Sequence, residues 1–367
     1  MLEELTCGER LVRCYLGQDV DHVPFGVGIG WHPWAETLER WRSETGKADL
    51  DYAADAGLEQ GFAIPALDCG IRPGFEPEVL DETETMITWR DARGVTQRGR
   101  KDGGSIPEFL DYPVKTPSDW HRLKEERLRC DEPGRVAQDW QKFREHIART
   151  GEAVQVGSFP WGVFGSVRDL MGVEEMLVAF YTEPAMIRDM MEHLTTLWLH
   201  LWEQVACEVR IDHIHLWEDM AGRQGSLISP AMIEEFMMPC YDRVADFAAR
   251  HGVRVVSVDS DGQCSELVEV MTRHGVNMML PFEVQAGNDI LEYREAYPEL
   301  GITGGLDKRA LATGRDAIDR EIERCARMLE RGRYVPGFDH LIPPDVPWEN
   351  YIYAARRIKS LCYARHD

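Results

Sequence analysis

Two hydrophobic rhythms alternate along the chain. Short apolar runs rich in β-branched residues fall at 23–28, 61–66, 154–159, 213–217, 254–258, 277–281, 301–305 and 334–338. Most are nearly continuous in apolar residues, as strands buried on both faces are. Between them lie longer stretches with helical spacing. Ile187, Met190, Met191, Leu194, Leu197, Trp198 and Leu201 form the stripe of one long amphipathic helix. Pro184 sits in its first turn, where a missing N–H costs least. Ser229 followed by Pro230 reads as an N-cap with proline at the first helical position, opening a helix to about residue 250. Helices are also expected over 265–274, 316–331 and 348–365. Strands alternating with helices in this way predict an α/β fold of the (β/α)8 TIM-barrel type, with a doubly wound open sheet as the competing architecture.

Two segments break the alternation. Residues 79–100 alternate polar and apolar positions around the turn Asp91-Ala92-Arg93-Gly94, predicting a β-hairpin inserted after the second strand. Residues 1–20 predict an N-terminal helix outside the barrel. No repeat, low-complexity tract or flexible linker interrupts the sequence, so a single domain over 1–367 is expected.

Composition narrows the function classes. The chain has 64 Asp and Glu against 41 Lys and Arg, a net charge of −23, and no basic run. Nucleic acid and anionic membrane surfaces are therefore disfavoured as partners by charge; a small-molecule substrate is expected instead. No apolar stretch is long enough to span a bilayer, and the first residues lack the apolar core of a signal peptide. The nine cysteines are scattered, odd in number and without CxxC spacing, which suits reduced thiols in a cytoplasm.

In a barrel enzyme the chemistry sits at the C-terminal ends of the strands. The residues following the predicted strands are, in order, Trp31 and His32; Asp68 and Cys69; Trp161, Phe164 and Arg168; Glu218 and Asp219; Asp259 and Asp261; Glu283; Asp307; Asp339 and His340. Acidic side chains recur there, although Asp at such positions also serves as a turn former or helix cap. Asp259 and Asp261 form the densest pair, and a D-x-D at a strand end binds a cation or holds a proton. His340 ends the last strand, across the mouth from that pair; the three together form a candidate hard-metal site. Trp161, Phe164 and Trp217 suit a cavity wall, and Arg168 a substrate carboxylate. The HExxH, GxSxG, GxGxxG and P-loop signatures are absent.

Five segments carry a family resemblance: 19–25 (DVDHVPF), 111–120 (DYPVKTPSDW), 217–244, 304–314 (GGLDKRALATG) and 337–352. They resemble motifs of the uroporphyrinogen decarboxylase superfamily, which includes tetrapyrrole decarboxylases and cobalamin- or coenzyme M-linked methyltransferases. The resemblance runs from about Gly8 to Leu361 and implies a (β/α)8 barrel, usually dimeric. The arginine motif that follows the first strand in the haem-pathway decarboxylase is replaced by Gly28-Ile29-Gly30-Trp31-His32-Pro33-Trp34, which points to the divergent, methyltransferase-like branch. His340 matches the histidine of the decarboxylases' G-H-G element. In the zinc methyltransferases H-x-C follows the fifth strand and a cysteine the eighth; Asp259, Asp261 and His340 align there. The resemblance thus implies a divalent metal, zinc or a harder ion, on Asp259, Asp261 and His340, or no metal at all.

The expected function is methyl transfer with a corrinoid as methyl donor, supplied through a separate corrinoid protein, in a cytoplasmic homodimer. Asp219, Glu218 and His340 are the expected catalytic residues. Trp31, His32, Trp161, Phe164, Arg168, Trp217, Glu283 and Asp307 are the expected substrate contacts. The alternatives are a cofactor-free decarboxylase or lyase for a tetrapyrrole or other cyclic carboxylate, in which Asp219 stabilises a cationic intermediate, and a non-catalytic corrinoid- or tetrapyrrole-binding protein.

Overall fold

Apolar runs with no polar alternation can only be satisfied by burial on both faces, and that is where they lie. The computed structural model describes residues 4–101 and 106–364. Seven strands, Phe62–Ala63, Ala153–Val156, His213–Trp217, Val255–Ser260, Met278–Pro281, Gly301–Leu306 and Tyr334–Phe338, form one curled parallel sheet. Each pairs with the next in chain order. A doubly wound sheet reverses its strand order part-way; this one does not, so that alternative falls.

The predicted strand at 23–28 is not a strand. Gly26 and Gly28 adopt φ of 83° and 109°, which breaks an extended backbone. The segment and the turn that follows it nonetheless touch both edges of the sheet. A Cβ on Gly61 would meet Val27 at 2.7 Å, and one on Gly30 would lie 1.9 Å from the Phe338 carbonyl oxygen. Trp31 Nε1 donates to the Pro336 carbonyl at 2.8 Å.

The N-terminal helix is shorter than expected, Cys7–Tyr15, and capped by Thr6; residues 1–3 of the predicted span lie outside the described residues. It does not stand apart from the sheet. Leu11, Val12, Cys14 and Tyr15 pack on Val27, Ala153, Val255, Met278 and Val335, most of them at or near the starts of their strands. It therefore plugs the N-terminal end of the sheet.

The insertion is larger than a hairpin. Glu78–Glu82, Met86–Arg90, Thr96–Arg100 and Glu108–Asp111 form a four-stranded antiparallel sheet. The predicted turn joins its two central strands, with Asp91 Oδ1 accepting from the amides of Arg93 and Val95. The outer strands, EVLDE and EFLD, are fully exposed and too acidic to read as strands. Arg93 pairs with Asp169 at 2.6 Å and ties this sheet to the helix Val163–Met171.

The predicted stripe is buried along Pro184–Glu208. Ser229 Oγ caps the amide of Met232 at 3.3 Å, as its sequence suggests. The remaining predicted helices occur at Ser265–Arg273, Arg315–Arg331 and Trp348–Tyr363, with residue 365 outside the described residues. Among the described residues no helix is long and apolar enough to cross a membrane.

Candidate active site

Strand alternation decides which side chains meet. In HIHLW the odd positions His213, His215 and Trp217 share one face, and in the neighbouring strand Val255, Ser257 and Asp259 do. The register sets Asp259 beside Trp217 and Ser257 beside His215. Asp259 thus projects at the strand end, next to the loop of Glu218 and Asp219. The amides of both those residues donate to its carbonyl oxygen, at 2.8 and 3.3 Å.

Glu218 is completely buried and fully engaged. It accepts from the amides of Val163, Phe164 and Gly165 at 2.8, 2.6 and 3.1 Å, and from the Tyr241 hydroxyl at 2.6 Å. A carboxylate at a helix N-terminus satisfies donors that the helix leaves unpaired. Burial pushes its carboxyl above the usual range, against the pull of those donors. It anchors helix Val163–Met171 and leaves no free oxygen facing the mouth. The glycines of Trp161-Gly162-Val163-Phe164-Gly165 allow this contact: a Cβ on Gly162 or Gly165 would lie 1.9 or 2.3 Å from the Trp217 carbonyl oxygen.

Several expected wall residues are core residues. Trp31 and Phe164 are fully buried; Phe164 stacks on Phe180 at 6.3 Å, and neither lines the mouth. Trp161 is half-buried, with its ring where a Cβ on Gly70 would be. His32 is exposed and holds the Tyr52 hydroxyl at 2.7 Å. Asp68 pairs with Arg72 at 3.1 Å, and burial pushes the Cys69 thiol up to about 12. Trp217 does face the mouth. Phe159, 68% exposed, packs edge-on against it at 4.7 Å, and Arg168 lies over its ring at 4.7 Å.

The acidic strand ends come with cations. Arg168 pairs with the Asp219 carboxylate at 2.7 Å and donates to its carbonyl at 2.6 Å, so its fork is already occupied. His340 Nε2 lies 3.6 Å from Asp261 Oδ2, and that carboxylate raises the imidazole's pKa above its usual value. Trp34 stacks on the His340 ring at 6.3 Å. Asp307 is held by Arg309 at 2.7 Å. Buried Asp339 accepts from the amides of Val284 and Lys308 at 2.9 and 3.1 Å. Lys308 Nζ stands 3.3 Å from Asp339 and 3.7 Å from Glu283, whose other oxygen accepts from the Gly262 amide at 3.0 Å. Lys308 was legible as the residue after Asp307, but a lysine in a loop reads as surface.

Asp259 is the exception. Its carboxylate has no cation within salt-bridge distance among the described residues except the imidazole of His215, at 3.9 Å. That imidazole is itself held neutral by burial, its pKa lowered to about 4. Burial first, then the charges of Asp261 and Asp219, push the Asp259 carboxyl up to about 8, with His340 acting the other way. Asp259 is an acid whose protonated form persists near neutral pH.

Residues 85–361 match the family described as Uroporphyrinogen decarboxylase (URO-D). The chain belongs to the uroporphyrinogen decarboxylase family. A uroporphyrinogen decarboxylase from Parasynechococcus marenigrum (strain WH8102) is 21% identical over 231 residues, which are 62% of this chain and 63% of that protein. The chain thus matches less than two thirds of that relative's length. A methyltransferase from Methanosarcina mazei superposes with a TM-score of 0.62 at 17% identity, over 98% of this chain and 100% of its own. At that identity the likeness speaks for the fold alone.

The metal expected from the resemblance does not fit the side chains of this uroporphyrinogen decarboxylase family member as they stand. Asp261 and His340 face each other at 3.6 Å, while Asp259 faces His215 at 3.9 Å. Among the described residues no group of three or more His, Cys, Asp or Glu is arranged to hold a metal ion. Cys264 is no substitute thiolate: it is buried, its Sγ lies 3.3 Å from the Ser260 carbonyl, and burial raises its pKa. What the family member does assemble is a buried acid, Asp259, beside Trp217 and within the field of Asp261, Asp219 and His340.

Proposed function

We propose that this family member is a carboxy-lyase for a cyclic or aromatic carboxylate, and that Asp259 supplies the proton that replaces carbon dioxide. The substrate's C–C bond breaks, its electron pair stays on the ring carbon as CO2 leaves, and that carbon takes the proton of Asp259. The resulting carboxylate is reprotonated by water. The observation that carries the reading is geometric: the other mouth carboxylates have cationic partners, and Asp259, in the middle, has a neutral one. These pairings also offset most of the mouth's negative charge, so a carboxylate substrate is repelled less than the chain's overall charge suggests. His340, whose charged form Asp261 favours, is the group that positions the substrate's acid group. Asp219 acts through Arg168 and the Trp217 ring rather than on the substrate.

Methyl transfer is the second reading, taken from the name of the Methanosarcina mazei protein and from the alignment of Asp259 and Asp261 with family zinc ligands. It would use the same acid to protonate the oxygen of a methyl ether whose methyl group passes to a nucleophilic acceptor, a thiol or a reduced corrinoid. One experiment separates the two. Aromatic and pyrrolic carboxylates, with and without methyl ethers, are incubated in D2O with the protein and a methyl acceptor, a thiol or reduced cobalamin. The proposal expects CO2 release with one deuterium in the product, and a loss of roughly 100-fold or more in Asp259→Asn. Demethylation with the carboxylate intact would favour the second reading. Undiminished turnover in Asp259→Asn would overturn the role of Asp259 in both.

A further inference from the structure

Beneath Asp259, on the same face of the parallel sheet, lies a second polar group that neither reading uses. His213 and His215 both reach the hydroxyl of Ser257, with His213 Nε2 at 2.7 Å and His215 Nδ1 at 2.8 Å. Ser257 is fully buried and His213 is 2% exposed, its ring packed on Phe62 at 4.7 Å. The far nitrogen of His213, Nδ1, is buried and without a hydrogen-bond partner. The far nitrogen of His215, Nε2, faces the mouth.

Hydrogen counting fixes this chain. A neutral imidazole carries one N–H and a hydroxyl one O–H. Burial lowers the pKa of both histidines, so both are neutral. Three arrangements satisfy both short contacts. If Ser257 donated to His213, the Nδ1–H of His213 would be a buried orphan donor, the costlier kind of unpaired group. His213 therefore carries its proton on Nε2 and donates to Ser257. The serine hydrogen then goes either to His215 Nδ1, at 2.8 Å, or to the Ile214 carbonyl, at 3.5 Å. The shorter contact has normal hydrogen-bond length and the longer one barely qualifies.

We propose that Ser257 locks His215 as the tautomer with its proton on Nε2, and that this N–H holds a substrate oxygen beside Asp259. At 3.9 Å from Asp259 Oδ2 the N–H is too far for a direct bond, so it remains available to a ligand. The lock deepens the function proposed above and rests on it only for the identity of the substrate. Ser257 and His213 are positioning residues; His215 is the one that touches the ligand.

The test reads tautomers, not turnover. Long-range 1H–15N correlation spectra of the 15N-labelled full chain are expected to show His213 and His215 both protonated on Nε2 and bare on Nδ1 at neutral pH. Ser257→Ala should shift His215 toward the Nδ1–H form, and Ser257→Thr, which keeps the hydroxyl, should restore the wild-type pattern. Benzoate, the probe for the donor, should bind roughly tenfold more weakly to His215→Phe. A wild-type His215 protonated on Nδ1, an unchanged tautomer in Ser257→Ala, or equal benzoate affinity in His215→Phe would overturn the proposal. A failure of every carboxylate to release CO2 would count against the proposed reaction and leave the tautomer result standing.

Discussion

The two ends of the parallel sheet solve opposite problems with the same strands. Along one strand the inward residues run Val255, Ser257, Asp259. Val255 joins the apolar plug made with the helix Cys7–Tyr15, where packing dominates and the ion pairs, such as Glu9 with Arg254, lie at its edge. Four residues later, Asp259 stands among carboxylates that have basic partners, with Lys308 shared by Asp339 and Glu283. The N-terminal end gains stability by excluding water. The C-terminal end gives up some of it to hold an acid in its neutral form. A sheet whose alternate residues face inward lets a chain change from one task to the other within a few residues.

Mutation at each end should break that contrast in different ways. The largest effect is expected from Glu218→Ala, which orphans three buried amides and the Tyr241 hydroxyl. A loss of about 4 kcal/mol in urea unfolding is expected, since each buried unpaired group costs about 1–3 kcal/mol. If stability held and only turnover fell, Glu218 would be a catalytic residue after all. Next comes the plug. Leu11→Ala should cost about 3 kcal/mol, within the usual range for buried Leu→Ala, and should leave the protonation of Asp259 unchanged. A change in that protonation would mean that the two ends are coupled.

Asp259→Asn is expected to act through pH. The folded-state pKa of Asp259 is raised, to about 8, above the usual carboxylate value. Its proton therefore contributes stability that is fully present below the ordinary carboxylate range and is lost as pH rises through about 8. Relative to wild type, Asp259→Asn should gain about 4 kcal/mol between pH 5 and pH 9, since the wild type loses about 1.4 kcal/mol for each pH unit, up to about pH 8, in which only its folded state holds the proton. Equal pH profiles in urea unfolding would refute the raised pKa. The smallest effect should come from Arg93→Ala. Its pair with Asp169 is partly exposed and should cost less than about 1 kcal/mol in thermal unfolding.

How much of this was legible follows from where each signal lies. His213–Trp217 and Tyr334–Phe338 were readable as strands because burial on both faces leaves an apolar run. The stretch 23–28 has the same composition, but two glycines with positive φ carry it, and composition does not encode φ. Strand ends named Asp219, Asp259, Asp261 and His340 correctly as neighbours in space, since that follows from topology. Their partners did not follow. The three amides on Glu218 lie more than fifty residues earlier in the chain, and sequence spacing cannot reveal them. The same holds for Lys308 between Glu283 and Asp339. The acid excess looked like an acidic mouth because one chain position at a time shows the carboxylates and hides the cations that fold against them. The inward alternation of His213 and His215 was visible in HIHLW, yet only the facing Ser257 gives it meaning.

The central claim is that Asp259 stays protonated near neutral pH, and infrared difference spectroscopy of protein labelled with 13C-aspartate tests it most directly. The account predicts one protonated carboxyl band that titrates away with a midpoint near 8 and is missing from Asp259→Asn. Aspartates that all titrate in the ordinary carboxylate range, with the Asp259→Asn spectrum unchanged above it, would contradict it.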